Sequence, residues 1–98
     1  MQTRYGMEFS ESAEKDYKKY LINTIYKLLP IREEGKDWEK YLDSCILEIH
    51  GFTNLFEQID EVLMIRILSK LRSLKDLKSD DEFYNYRKIV LECTNLIK

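Results

Sequence analysis

The sequence predicts an all-α fold, a single-domain antiparallel four-helix bundle with short loops. Three observations predict it. Apolar side chains recur at helical spacing through four stretches. Helix formers dominate, with three glycines and one proline among 98 residues, which leaves little for turns. The joints between the stretches are brief, so consecutive helices lie side by side. A chain of this length forms one domain and buries a core without disulfide or metal staples.

Residues 1–9 carry no pattern and stand apart from the helical domain, 10–98. The first helix is predicted over 11–29. Ser10 suits its N-cap, and Glu11 and Glu14 favour the positive end of its dipole. Tyr17, Leu21, Thr24, Ile25 and Leu28 line one face. Glu11 with Lys15 and Glu14 with Lys18 are acid-before-base pairs four apart. Pro30 is expected to end the helix by driving its predecessor out of the α region, and residues 31–36 to form a charged loop around Gly35.

The second helix is predicted over 38–50, capped by Asp37. Trp38, Leu42, Cys45, Ile46 and Ile49 share a face, with Tyr41 at its edge. Gly51 is expected to supply the left-handed C′ position, and His50 suits the negative pole. At the following joint, Asn54 and Glu57 have the spacing of a capping box. The third helix therefore starts at Leu55 or, after a short turn, at Asp60. We place it over 55–77, with a kink at 58–60. Residues 59–77 are the most apolar stretch. Leu63, Ile67, Leu71 and Leu74 make a stripe that Met64 and Leu68 widen, while Val62 and Ile65 fall on the far side. A helix apolar nearly all round is normally buried on several sides, so this one is expected at the centre. The fourth helix, 80–97, opens on a Ser79–Glu82 capping box and buries Phe83, Tyr86, Val90, Cys93 and Ile97.

Catalysis finds little to work with. One histidine excludes a His-rich metal site, and three scattered glycines make no phosphate-cradling loop. Cys45 and His50 lie about 140° apart around their helix, too far to act as a pair. Leu47 stands three residues before His50, so no Glu-x-x-His motif exists. Glu33–Glu34 and Asp80–Asp81 sit at loops or helix starts, where acids serve solubility and the dipole. We expect a non-enzymatic protein with no metal, cofactor or small-molecule substrate. Cys45 and Cys93 read as buried free thiols of a reducing compartment, with a disulfide as the alternative. The first residues lack the apolar core of a signal peptide, and no apolar run approaches bilayer length, so the expected location is cytoplasmic.

Sixteen basic against eighteen acidic residues give a formal charge of -2. That balance offers no global attraction to nucleic acid or anionic membrane. Gly51-Phe52-Thr53 between two helices nevertheless resembles the turn of a helix-turn-helix. The resemblance breaks at Leu47, where the motif wants a small residue, and at Glu57, where it wants an apolar one. Residues 54–61 carry three acids and no base, the wrong charge for phosphate contacts. Nucleic-acid binding is therefore the second reading.

The first reading is a small protein–protein interaction module. Val62, Ile65 and Arg66 on the third helix, and Tyr84, Arg87 and Leu91 on the fourth, exceed what one amphipathic stripe requires, as do Tyr26 and Leu47. Gathered into a patch, Tyr, Arg and aliphatic side chains anchor interfaces. The expected partner is a second copy, giving a homodimer, or another protein.

Lys19-Tyr-Leu-Ile-Asn-Thr-Ile-Tyr-Lys-Leu-Leu-Pro30, Lys36-Asp-Trp-Glu-Lys-Tyr-Leu42 and Ile49-His-Gly-Phe-Thr-Asn-Leu-Phe56 resemble stretches of small helical proteins from phages and mobile elements of low-GC Gram-positive bacteria. Size and expected architecture are also similar to the bacteriocin immunity proteins, which are cytoplasmic four-helix bundles. That resemblance implies a third reading, an inhibitor or immunity factor.

Overall fold

Four long helices and one short one make up nearly all of residues 10–55 and 60–97, the part of the chain described by this computed structural model. No strand occurs among the described residues. Helix α1 spans Glu11–Tyr26 and starts as expected, with the Ser10 hydroxyl accepting the Ala13 amide at 3.1 Å. Its end is not as expected. The chain breaks helical register at Lys27 and resumes as α2, Leu28–Glu33, with Pro30 inside the first turn. The reason is local. Pro30 has no N–H for the Tyr26 carbonyl, and its ring crowds that carbonyl, but in a new first turn no such bond is needed. Full burial of Leu28 holds α2 against the core.

Gly35 takes the left-handed position after α2, at φ 73°. Its amide donates to the Arg32 carbonyl at 3.0 Å and the Lys36 amide to Ile31 at 3.1 Å, the paired bonds of a Schellman motif. Residues 31–33 are thus helix where a loop was expected.

Asp37 caps α3 through the Lys40 amide at 3.1 Å, but α3 runs Trp38–Leu55, beyond the predicted 38–50. Gly51 lies inside it without the left-handed backbone expected of it. Continuing the helix keeps Phe52 on the face of Cys45 and Ile49, where it is buried against the Tyr17 ring. That burial outweighs the roughly 1 kcal/mol by which an interior glycine disfavours a helix. The turn that a helix-turn-helix needs at Gly51–Thr53 is therefore helix.

Of the expected 55–77 helix, residues 56–59, with most of the kink placed at 58–60, lie outside the described residues. Helix α4 is Glu61–Ser73, followed by a 3-10 turn, Leu74–Asp76. It takes the later of the two expected starts, with the Asp60 carboxylate accepting the Leu63 amide at 3.0 Å. The Ser79–Glu82 capping box forms around a 3-10 turn, Asp80–Glu82, that leads into α5, Phe83–Ile97.

The core gathers Leu21, Ile25, Leu28, Leu42, Cys45, Ile49, Phe52, Met64, Ile67, Leu68, Leu71, Leu74, Tyr86, Val90, Cys93 and Ile97. Helix α1 packs on α3 and α5, and α4 packs on α3 and α5. Helix α4 is thus one of four around the core and not an element buried on all sides, and Leu63 is only half-buried. Contacts between α1 and α3 pair Thr24 with Tyr41, Tyr20 with Glu48 and Tyr17 with Phe52. Those between α4, with its following loop, and α3 pair Arg72 with His50, Lys75 with Asp43 and Lys78 with Glu39. In both series one helix is climbed as the other is descended.

Candidate functional site

The six candidate interface residues start from helical periodicity, which turns them away from the core stripes. Val62 is 70% and Ile65 65% exposed, one turn apart on the outer side of α4. Tyr84, on α5, is 77% exposed, Arg66 and Arg87 are exposed, and Leu91 is half-buried.

The structure does not bring the six together. Arg66 lines an open groove between α4 and α5 with Lys70, Glu92, Asn95 and Leu96. Tyr84, Arg87 and Leu91 line a different groove with Lys88. Val62 and Ile65 belong to neither. They form a small apolar knob beside Arg66, and the candidates fall into separate surfaces.

The Arg66 groove is braced by a Lys70–Glu92 ion pair at 2.7 Å. The hydrogen bond from Lys70 holds the Glu92 carboxyl below the usual carboxylate range. Both partners are a third or so exposed, so the pair adds little stability. Tyr26 and Leu47 are also exposed, on α1 and α3; single apolar side chains at the surface are ordinary.

Among the described residues, the most built polar arrangement is one that sequence reasoning missed. Arg32, expected in a charged loop, sits on α2 with its guanidinium carbon 4.3 Å from the Tyr86 ring centre, 5.0 Å from Trp38 and 5.6 Å from Phe83. Its two terminal nitrogens donate to the Leu77 and Ser79 carbonyls. The planar fork meets two carbonyls while its faces lie against π-systems, a combination suited to arginine and not to lysine. Arg32 thereby ties α2 to the α4–α5 connection. Its signal in the sequence was faint. Trp38, Phe83 and Tyr86 could be placed on core faces, but their meeting at one arginine is a tertiary fact.

The two thiols are chemically quiet. Burial pushes Cys45 and Cys93 up to about 12, so at neutral pH neither supplies the thiolate that nucleophilic or redox chemistry needs. Both are free, their hydrogens directed at the Thr24 and Ile67 carbonyls. Among the described residues, no group of three or more His, Cys, Asp or Glu side chains could hold a metal ion. No described helix is long and apolar enough to cross a membrane. Comparison with protein-family models, curated proteins and solved structures finds no match.

Proposed function

We propose that this chain is a non-enzymatic protein-binding module, an antiparallel four-helix bundle that associates through the outer side of α4. The opposed contact series along α1–α3 and α3–α4 support the antiparallel arrangement. The observation that carries the binding reading is the Val62–Ile65 knob. Two β-branched side chains lie one turn apart, about two-thirds exposed, on a helix whose core stripe is already satisfied by Met64, Ile67, Leu68 and Leu71. Neither packing nor helix propensity asks for them there.

Burying what remains exposed of both would contribute about 2–4 kcal/mol. Association costs at least as much in lost freedom, so the partner must add further contacts, and Arg66 beside the knob is a suitable polar anchor. The expected complex is small and transient. Sedimentation velocity from micromolar to millimolar protein tests self-association, and cross-linking with a partner present tests the heterotypic case. Val62→Asp with Ile65→Asp should abolish whichever association occurs while leaving the helical circular dichroism intact. Association undiminished in that variant would remove α4 as the binding surface.

A further inference from the structure

The outer surface of the α1–α5 seam combines cations with apolar side chains. On α1, Tyr17, Tyr20 and Thr24 meet α3. Lys18 and Ile22 each stand two residues from Tyr20, so they lie about 160° around the helix, on the flank away from α3. With Lys15 and Lys19 they line a shallow groove. On α5, Leu96 lines the groove shared with α4. Arg87 and Leu91 lie about 180° and 140° around from it, on the opposite flank, and line the groove that also holds Tyr84 and Lys88. Helices α1 and α5 pack on each other, and the Tyr86 hydroxyl donating to the Leu28 carbonyl sets the first turns of α5 beside the end of α1, so the two grooves flank the α1–α5 seam toward its opposite ends.

Cations outnumber acids along it. Five cations, Lys15, Lys18, Lys19, Arg87 and Lys88, border it. Of the acids on these helices, Glu92 is drawn to Lys70 of α4. Asp16 stands between Tyr20 and Lys19, about 40° from the one and 60° from the other around the helix. Glu11 and Glu14 lie at one end of the seam, where Glu14 pairs with Lys18 at 3.3 Å. Among the described residues, Lys15, Lys19 and Arg87 make no ion pair. Along the same strip, Ile22 and Leu91 are half-buried and Tyr84 stands out into solvent.

We propose that this seam docks an acidic amphipathic helix of a partner protein. Two packed helices leave a groove along which a third can lie. The cations match acidic side chains at its margins, and Ile22, Leu91 and Tyr84 take its apolar face. A nucleic-acid backbone would use the cations and leave the apolar side chains unmatched, on a chain whose formal charge is -2. The seam involves neither Val62 nor Ile65, so it stands independently of the α4 surface.

The test measures fluorescence anisotropy with three labelled probes. They are an amphipathic Leu/Glu peptide, a peptide of the same composition with its apolar period scrambled, and a short mixed-sequence DNA duplex. The amphipathic peptide is expected to bind the intact chain, more weakly as salt rises, and the scrambled peptide about tenfold less tightly. Lys15→Glu/Lys19→Glu/Arg87→Glu, at exposed positions that leave the core untouched, should lower affinity for the amphipathic peptide by at least about tenfold. Val62→Asp/Ile65→Asp should leave it unchanged, which separates this proposal from the α4 reading. Three results would each overturn it: equal binding of the scrambled peptide, unaltered binding by the charge-reversed variant, or tighter binding of the duplex than of the amphipathic peptide. Absence of peptide binding at low salt would do the same.

Discussion

Replacing Arg32 by alanine removes two hydrogen bonds and three ring contacts at one end of the molecule. The guanidinium donates to the Leu77 and Ser79 carbonyls and lies over Tyr86, Trp38 and Phe83. A hydrogen bond from a charged donor contributes about 1.5–3 kcal/mol when buried. The Leu77 bond is half-buried and the Ser79 bond exposed, so water replaces much of the second. The stacked rings add about 0.5–1 kcal/mol at partly exposed sites. Together Arg32→Ala should cost about 2–4 kcal/mol, a large share of the 5–15 kcal/mol typical of a domain. For a chain this size that corresponds to a fall in Tm of roughly 10–25 °C. Arg32→Lys keeps the charge but not the planar fork, and should recover less than half of the loss. The assay is urea unfolding followed by fluorescence of Trp38, the sole tryptophan, whose ring lies under the guanidinium. A loss below about 0.5 kcal/mol for Arg32→Ala, the range of ordinary surface substitutions, or a lysine variant equal to the parent, would refute the reasoning.

Gly51 and Gly35 give opposite expectations. Gly51 lies inside α3 with nothing within 4 Å of an added Cβ, so Gly51→Ala should stabilise by about 0.5–1 kcal/mol. Gly35 sits at φ +73°, and Gly35→Ala should destabilise by about 1–2 kcal/mol. Thermal melts of both variants check this. Ile67 is fully buried and Leu63 only half-buried. Ile67→Ala should therefore cost about 2–5 kcal/mol and Leu63→Ala distinctly less, read from denaturant midpoints. Burial raises the Cys45 and Cys93 thiols and the Tyr41 hydroxyl to about 12 from 9.0 and 10.0. In the unfolded chain these groups ionise at their ordinary values, so their contribution is whole below about pH 9 and is lost as pH rises toward about 12. Each thiol costs up to about 1.4 kcal/mol per pH unit inside its window, and the partly exposed Tyr41 hydroxyl distinctly less. Stability measured from pH 8 to 11 should hold to about pH 9 and fall above it, and a thiol reagent at pH 8 should label neither cysteine until the chain unfolds.

Local chemistry was legible in the residues themselves. The caps at Ser10 and Asp37, the Ser79–Glu82 box and the core stripes from Leu21 to Ile97 all depend on side chains within a turn or two, and the all-helical class followed from them. Asp60 as a start was readable too, as one of two. Three features depended on partners distant in sequence. Gly51 looked like a helix end because glycine favours one locally, and only the Tyr17 ring packed on Phe52 shows why α3 continues. Pro30 looked like a stop, yet the burial of Leu28 restarts the helix around it. The six candidate interface residues were right about exposure in most cases, since periodicity turns a side chain outward whatever surrounds the helix. Periodicity does not say which helices are neighbours. Residues 62–66 and 84–91 therefore came out on different surfaces, while Lys15, Ile22 and Leu91 came to border one seam. Helix class and most of the core stripe positions were determined by the sequence alone, because both are local sums over a few turns. The meeting of Arg32 with three rings, the course of α3 through Gly51 and the division of the surface were decided only by tertiary packing, where the energy of a buried contact outweighs a local preference of a kcal/mol or less.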